Sequence, residues 1–553
     1  SGAMAIYKKP NFQRELNLKS KKVLVVDDFL NFRLTLKNML RSFDVIHLDD
    51  AGNGDDAIRK MAAGKYDIIL CDYNLGEGKS GQQVLEEGKF RGYINYSTIF
   101  VMITAENSLE MIMGAAEYQP DDYLIKPFAK EILGNKIKQL MERKENLSAI
   151  ERSLAAENFS EALQLCDLLI KKSPRNLSEI LKMKGEILLK KGAYKEAAEF
   201  YNRMLLMGNV SWVMIGRGKT ALLAGQYAEA KDIFERILEK NDKVMPAYDY
   251  LAQTLLKMND PQAAQEVMMN AVSISPRAIL RQKNLGNLAY RNEDYFTAET
   301  AYKSTVAQGK HSCFKSPSDY TSLAKTMVQM DNPEAGLDVL ASARQVFPED
   351  NEAKLHVRVT ESYVYKTLNR TEDAAKALNE AQKIVEDYDG SLPADLQLDL
   401  ARTYIINGDN KKGSELIRRI LRDNHDDNEM LDNVRLVFRE TGMADEGRKI
   451  IEDVREEIFG LNNAGVKLAQ EGKLAEAIAY FEEAALQLPQ NKIINANTAQ
   501  VLMLYMQENG SDEERLSDVK IYLDRVKKTD ENFKDLPLLW TMYNGLISGG
   551  DHG

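Results

Sequence analysis

Between residues 21 and 143, five short apolar runs closed by polar residues alternate with stretches of helical period. The runs are Lys21–Asp28, Val45–Leu48, Tyr66–Asp72, Thr98–Thr104 and Asp122–Lys126. Helical patterns follow over Asn31–Leu40 and Asp55–Ala63, from near Gln82, from Ser108 to about Tyr118, and from near Ala129. Runs this short and this apolar read as strands buried on both faces. Strand–helix alternation implies right-handed crossovers, which place helices on both sides of a parallel sheet. The expected fold is a doubly wound α/β domain with five parallel strands.

In such a sheet the carboxyl ends of the strands share one rim, where ligands collect. Here those ends carry Asp27, Asp28, Asp72, Thr104 and Lys126. Three carboxylates in one pocket repel unless a cation joins them, and hard oxygen ligands suit Mg²⁺. A hydroxyl and an ammonium opposite complete a place for a phosphoryl group. Asp72 is the candidate nucleophile, attacking phosphorus to form an acyl phosphate, with Lys126 offsetting charge on the transferring oxygens.

Four segments carry a family resemblance: Val25-Val26-Asp27-Asp28, Leu70-Cys71-Asp72-Tyr73-Asn74, Ile103-Thr104-Ala105 and Ile125-Lys126-Pro127-Phe128. In this order, at strand ends, residues 21–143 resemble the receiver domain of bacterial two-component response regulators, a flavodoxin-like fold. The resemblance implies that Asp72 is the phospho-acceptor. It implies that Asp28 ligates Mg²⁺ with Asp27 assisting, and that the backbone carbonyl of Asn74 is a further ligand. Thr104 would bind a phosphoryl oxygen and Lys126 would pair with the phosphoryl group. Tyr123, three residues before Lys126, stands where the family keeps an aromatic switch. Asn74 and Glu106 occupy the positions that tune phosphoryl lifetime and resemble the pair in the chemotaxis receiver. The implied donor is a histidine kinase or a histidine phosphotransfer protein, and a homodimer through the receiver is compatible with the family. The implied chemistry is self-phosphorylation and autodephosphorylation, with no conventional enzyme substrate.

From about residue 144 to 547 strand signals stop and helices recur. A pattern of aromatic or turn residue, two residues, then a small residue appears ten times. It runs through Phe159/Ala162, Tyr194/Ala197, Tyr227/Ala230, Asp260/Ala263, Tyr295/Ala298, Asn332/Ala335, Thr371/Ala374, Asn410/Gly413, Ala444/Gly447 and Leu474/Ala477. From Ala162 to Ala477 the mean interval is 35 residues, close to the period of about 34 of tetratricopeptide repeats. These residues resemble that family, which implies an all-α superhelical solenoid of about ten helix pairs with a concave protein-binding surface. A break or bend is expected near 309–317, and a C-terminal cap near Trp540. Trp212 reads more readily as an inter-repeat core residue than as a surface anchor.

Residues 1–20 read as a tag remnant, Ser1-Gly2-Ala3 before Met4, and an N-terminal extension. A net charge of −11 argues against a general nucleic-acid binder. The longest apolar runs are strand-length and none opens the chain, so neither a membrane span nor a secretion signal is expected. Cys71, Cys166 and Cys313 are too scattered for a disulfide framework and fit a reducing cytoplasm. The join through Arg143-Lys144-Glu145-Asn146 lacks proline and glycine and reads as a stiff helical junction. The function expected is an adaptor whose binding to a protein target depends on phosphorylation of Asp72. Two rivals stand beside it. One is a DNA-binding transcription regulator using the basic stretch Lys411–Arg422; the other is a constitutive scaffold in which the receiver serves assembly.

Overall fold

A computed structural model describes residues 18–105, 118–172, 176–208, 210–388 and 391–549. Glu106, the helix expected from Ser108 to Tyr118, and the extension before residue 18 lie outside these residues. The chain divides into two compact units, Ser1–Arg152 with His311–Cys313, and Ser153–Lys310 with Phe314–Gly553.

In the first unit the strands are β1 Lys22–Val26, β2 His47–Ala51, β3 Ile68–Asp72, β4 Ile99–Ala105 and β5 Asp122–Lys126. All neighbours pair in parallel, in the order β2-β1-β3-β4-β5. The described helices are α1 Leu30–Arg41, α2 Gly54–Ala63, α3 Gly81–Phe90 and α4 Lys130–Ala155. Alternate strand residues supply two cores. Val23, Val25, Ile68, Leu70, Val101 and Ile103 pack with Leu36 and Leu40 of α1 and Leu133 and Ile137 of α4. On the opposite face Leu24, Val26, Ile69, Cys71, Phe100 and Met102 pack with α2 and α3 through Met61, Val84 and Leu85. Both faces being covered explains why the strands read as unbroken apolar runs.

The second strand departs from expectation. It was expected over Val45–Leu48 and forms at His47–Ala51, in register with β1 from Lys22↔His47 to Val26↔Ala51. It is an edge strand, and its acids are held by partners distant in sequence. Asp49 accepts from Tyr66 Oη at 2.7 Å, and Asp50 accepts from Arg33 and Lys37 at 3.0 and 2.6 Å. Apolar content could not reveal a strand stabilised by side chains from three other segments.

The second unit is helical. All ten positions of the repeating pattern fall at helix starts: Phe159, Tyr194, Tyr227, Tyr295, Thr371, Asn410, Ala444 and Leu474 open helices, while Asp260 and Asn332 are N-caps. At those two caps a proline takes the first helical position, which moves the phase by one residue. The buried small residues there are Ala264 and Gly336 instead of Ala263 and Ala335. Helices end at Gly309 and resume at Pro317, the interval expected as a break. One helix, Ala444–Gln470, runs for 27 residues with no turn inside it. Trp212 packs edge-on to Tyr201 at 6.4 Å, against the core of the early pairs. At the end of the array Trp540 and Tyr543 join a core with Leu502, Met503, Val519 and Leu523.

Candidate functional site

The site lies at the carboxyl ends of β1, β3, β4 and β5. Asp27 is wholly buried, fixed by its own turn and by β5: Oδ1 accepts from the Phe29 amide at 2.8 Å and Oδ2 accepts from Lys126 Nζ at 2.8 Å. Asp72 closes β3, largely buried, with Oδ1 2.9 Å from the same ammonium. Asp28 is exposed. Oxygens of Asp27, Asp28 and Asp72 lie within 4.8 Å of one another. Burial raises the pKa of Asp72; Lys126 opposes the rise, and Asp27 and Asp28 add to it. Burial works against the charge of Lys126, but hydrogen bonds with Asp27 and Asp72 outweigh it and its pKa is raised. Three carboxylates with one ammonium, held by two of them, leave an excess of negative charge and hard oxygen donors. That is the donor chemistry a divalent ion such as Mg²⁺ requires, so these residues fit it.

The other expected residues are placed as follows. Thr104 is buried one residue before the end of β4, its Oγ1 donating to the Ala105 carbonyl at 3.2 Å. Asn74 is exposed in the loop after β3, its side-chain oxygen 3.4 Å from the Gly76 amide. Tyr123 sits on β5 with its hydroxyl donating to Gln119 Oε1 at 2.9 Å, and burial pushes its pKa up to about 12. Asp27, Asp28, Asp72 and Lys126 therefore form one cluster. Tyr123 hydrogen-bonds to Gln119, apart from the contacts that tie that cluster together.

Three supporting residues escaped sequence reasoning. Arg33 Nη1 donates to the carbonyls of Asp27 and Asp28 at 2.6 and 3.3 Å, while its Nε binds Asp50. The turn bearing both acids is thus clamped from behind. Gly76 and Gly78 lie in the loop after β3. Those two have positive φ, 74° and 99°. Gly81 instead opens α3, where an added Cβ would stand 2.9 Å from the Asp72 carbonyl carbon and 3.0 Å from Tyr73 Cα. Phe32, on α1, places its ring 4.1 Å from Lys126 Nζ. The spacing from Asp28 to Phe32 and Arg33, about one helical turn, was the available signal.

Residues 23–138 match the response regulator receiver domain model. The chain is 30% identical over 122 residues to a chemotaxis protein CheY of Pseudomonas aeruginosa, covering 22% of this chain and 97% of that one. The chain belongs to the response regulator family. It is also 31% identical over 125 residues to chemotaxis protein CheY-3 of Vibrio cholerae, covering 23% of this chain and 95% of the relative. In this response regulator residues 246–277 match the tetratricopeptide repeat model. A solved tetratricopeptide repeat protein from Parabacteroides merdae is similar at 14% identity and a TM-score of 0.29, over 47% of this chain and 98% of that one. Among the described residues no helix is long and apolar enough to cross a membrane.

The repeat array has its own polar centre. The helices Ile279–Arg291, Pro317–Gln329, Asn351–Thr367, Ala394–Ile406 and Asn428–Glu440 are the first members of successive pairs. Lys325 binds both oxygens of Asp399 at 2.8 Å, and Arg402 binds Asp399 at 2.5 Å and Glu440 at 2.9 Å. Tyr290 donates to Glu440 at 3.0 Å and Gln329 donates to Tyr363 at 2.9 Å. The superhelix is wound tightly enough for the helix 279–291 to touch the helix 428–440. Along this stretch side chains of successive first helices pair with one another. The basic stretch Lys411–Arg422 lies on one repeat helix, where Arg418 and Arg422 pair with Asp453 and Glu457 at 3.3 and 3.1 Å. Those acids occupy part of the face that a DNA-reading helix would need free.

Proposed function

We propose that this response regulator accepts a phosphoryl group on Asp72 and that phosphorylation controls which protein its repeat array binds. The observation that carries the reading is the clustering of Asp27, Asp28 and Asp72, with the Lys126 ammonium held by Asp27 and Asp72, at the ends of three strands. A carboxylate oxygen of Asp72 attacks phosphorus, the bond from phosphorus to the donor imidazole nitrogen breaks, and the imidazole leaves with the bonding pair. Lys126 already rests against Asp72 and offsets the charge that accumulates on the transferring oxygens. Asp27, buried and held by Phe29 and Lys126, fixes the ammonium, while exposed Asp28 is the acid free to take the ion directly. Mg²⁺ bound by Asp28, Asp72 and the Asn74 carbonyl, with Asp27 assisting, supplies charge neutralisation at those oxygens. Thr104 and Tyr123 are the residues proposed to relay the change, and Glu106 with Asn74 to set its lifetime.

The donor is a histidine kinase or phosphotransfer protein. Exposed Phe29, Leu30 and Leu34 beside Asp28 offer apolar area for it. A receiver homodimer is proposed on family grounds. The site is a receiver for phosphate in a cytoplasmic regulator, and it is proposed to turn over no external substrate. A quantitative pull-down tests this reading, using the chain with Mg²⁺ alone, with Mg²⁺ plus beryllofluoride, and as Asp72→Ala. A partner whose capture changes with beryllofluoride only when Asp72 is intact is the expected result. Equal capture in every arm would point to the constitutive scaffold.

A further inference from the structure

An ammonium has three N–H donors, and Lys126 spends two of them on carboxylates. Asp27 Oδ2 stands at 2.8 Å and Asp72 Oδ1 at 2.9 Å. The same Nζ lies over the ring of Phe32, 4.1 Å from its centroid. That ring is itself braced: Phe128 meets it edge-on, with centroids 6.0 Å apart and planes at 87°. Phe32 sits on α1, packed against the core of strands β1, β3 and β4, so the ring is anchored to the scaffold that carries the acids. The face of an aromatic ring attracts a cation through its quadrupole.

We propose that Phe32 is a positioning residue for phosphoryl transfer: its ring seats the Lys126 ammonium so that it stays on the Asp72 side of the site. The inference rests on Asp72 being the phospho-acceptor. Without the ring, the long flexible lysine retains its carboxylate partners in the resting site. It loses the wall that keeps it in place once one partner oxygen is committed to phosphorus. A cation–ring contact in a partly buried site corresponds to a rate effect of about threefold to thirtyfold.

The test uses the full chain, phosphoramidate as the phosphodonor and saturating Mg²⁺, with Asp72 phosphorylation followed by intact mass. Phe32→Leu and Phe32→Met keep apolar bulk and remove the ring face; Phe32→Tyr keeps it. The expected result is a maximal rate about threefold to thirtyfold lower in the Leu and Met variants. The donor and Mg²⁺ concentrations giving half-maximal rate should be unchanged, and Tyr should restore the rate. A role in packing alone would move the melting temperature and the rate together in all three variants. Wild-type rates in both Leu and Met variants would overturn the proposal, as would a Tyr variant as slow as Leu. A wild-type chain that takes no phosphate on Asp72 would overturn the phospho-acceptor reading itself, and this inference with it.

Discussion

At the scale of single residues, the cluster at the strand ends is a balance of charge against burial. Asp72 has its pKa raised chiefly by burial. A carboxyl whose folded pKa exceeds its unfolded value binds more protons folded than unfolded, so stability falls as pH rises between the two. Asp72→Asn should therefore raise the melting temperature of the metal-free receiver at neutral pH. The difference should vanish at pH below the ordinary aspartate range, and scanning calorimetry in chelator at both pH values checks it. A cation reverses the penalty. Saturating Mg²⁺ at a hundredfold excess over its dissociation constant should add about 2.7 kcal/mol. Asp28→Asn should remove most of that increment while leaving the metal-free melting temperature little changed, because Asp28 is exposed.

At the scale of elements, the repeat helices interlock by receiving rings where they lack side chains. A Cβ on Gly218 would stand 2.6 Å from Phe234, and one on Gly286 would stand 2.7 Å from Tyr302. Each glycine lies on the first helix of a pair and its aromatic on the second. Gly286→Ala raises helix propensity, yet it should destabilise the array by about 1–3 kcal/mol, because a buried ring must shift. A lower urea midpoint with unchanged helical circular dichroism is the expected outcome. The ten-fold pattern made the helix starts legible because an aromatic and a small residue at fixed spacing have one steric use. It could not show the unbroken helix Ala444–Gln470, since a turn is absent only by virtue of what packs beside it. The second strand was misplaced for a related reason: its acids are paired with Lys22 of β1, Arg33 and Lys37 of α1 and Tyr66 before β3.

At the scale of the whole molecule, the array is held by a buried charged centre as well as by apolar seams. Asp399 is desolvated by burial, but Lys325 and Arg402 outweigh that and lower its pKa. A carboxyl with a lowered folded pKa contributes stability that is complete above its unfolded value and is lost as pH falls through the folded one. Arg402→Ala would leave Asp399 and Glu440 short of a counter-ion and should cost about 3–5 kcal/mol. Urea unfolding of the array at neutral pH measures this. Asp399→Asn should flatten the acid limb of the stability profile. The helix α4 runs through Arg143–Asn146 without interruption.

The sequence by itself determined the alternation of strands and helices, the identity of the acids and lysine at the rim, and the repeat period. Each of these is written in local chemistry: apolar runs, turn residues and side chains with one use at a given spacing. Only the tertiary structure decided which residues stand behind the site. Phe32 under Lys126, Arg33 on the carbonyls of Asp27 and Asp28, and Gly81 against the Asp72 backbone act through distance, and no residue type announces them. The charged centre of the repeat array was likewise invisible. Lys325, Asp399, Arg402 and Glu440 are ordinary surface residues in a helical pattern until the superhelix winds tightly enough to bury them together.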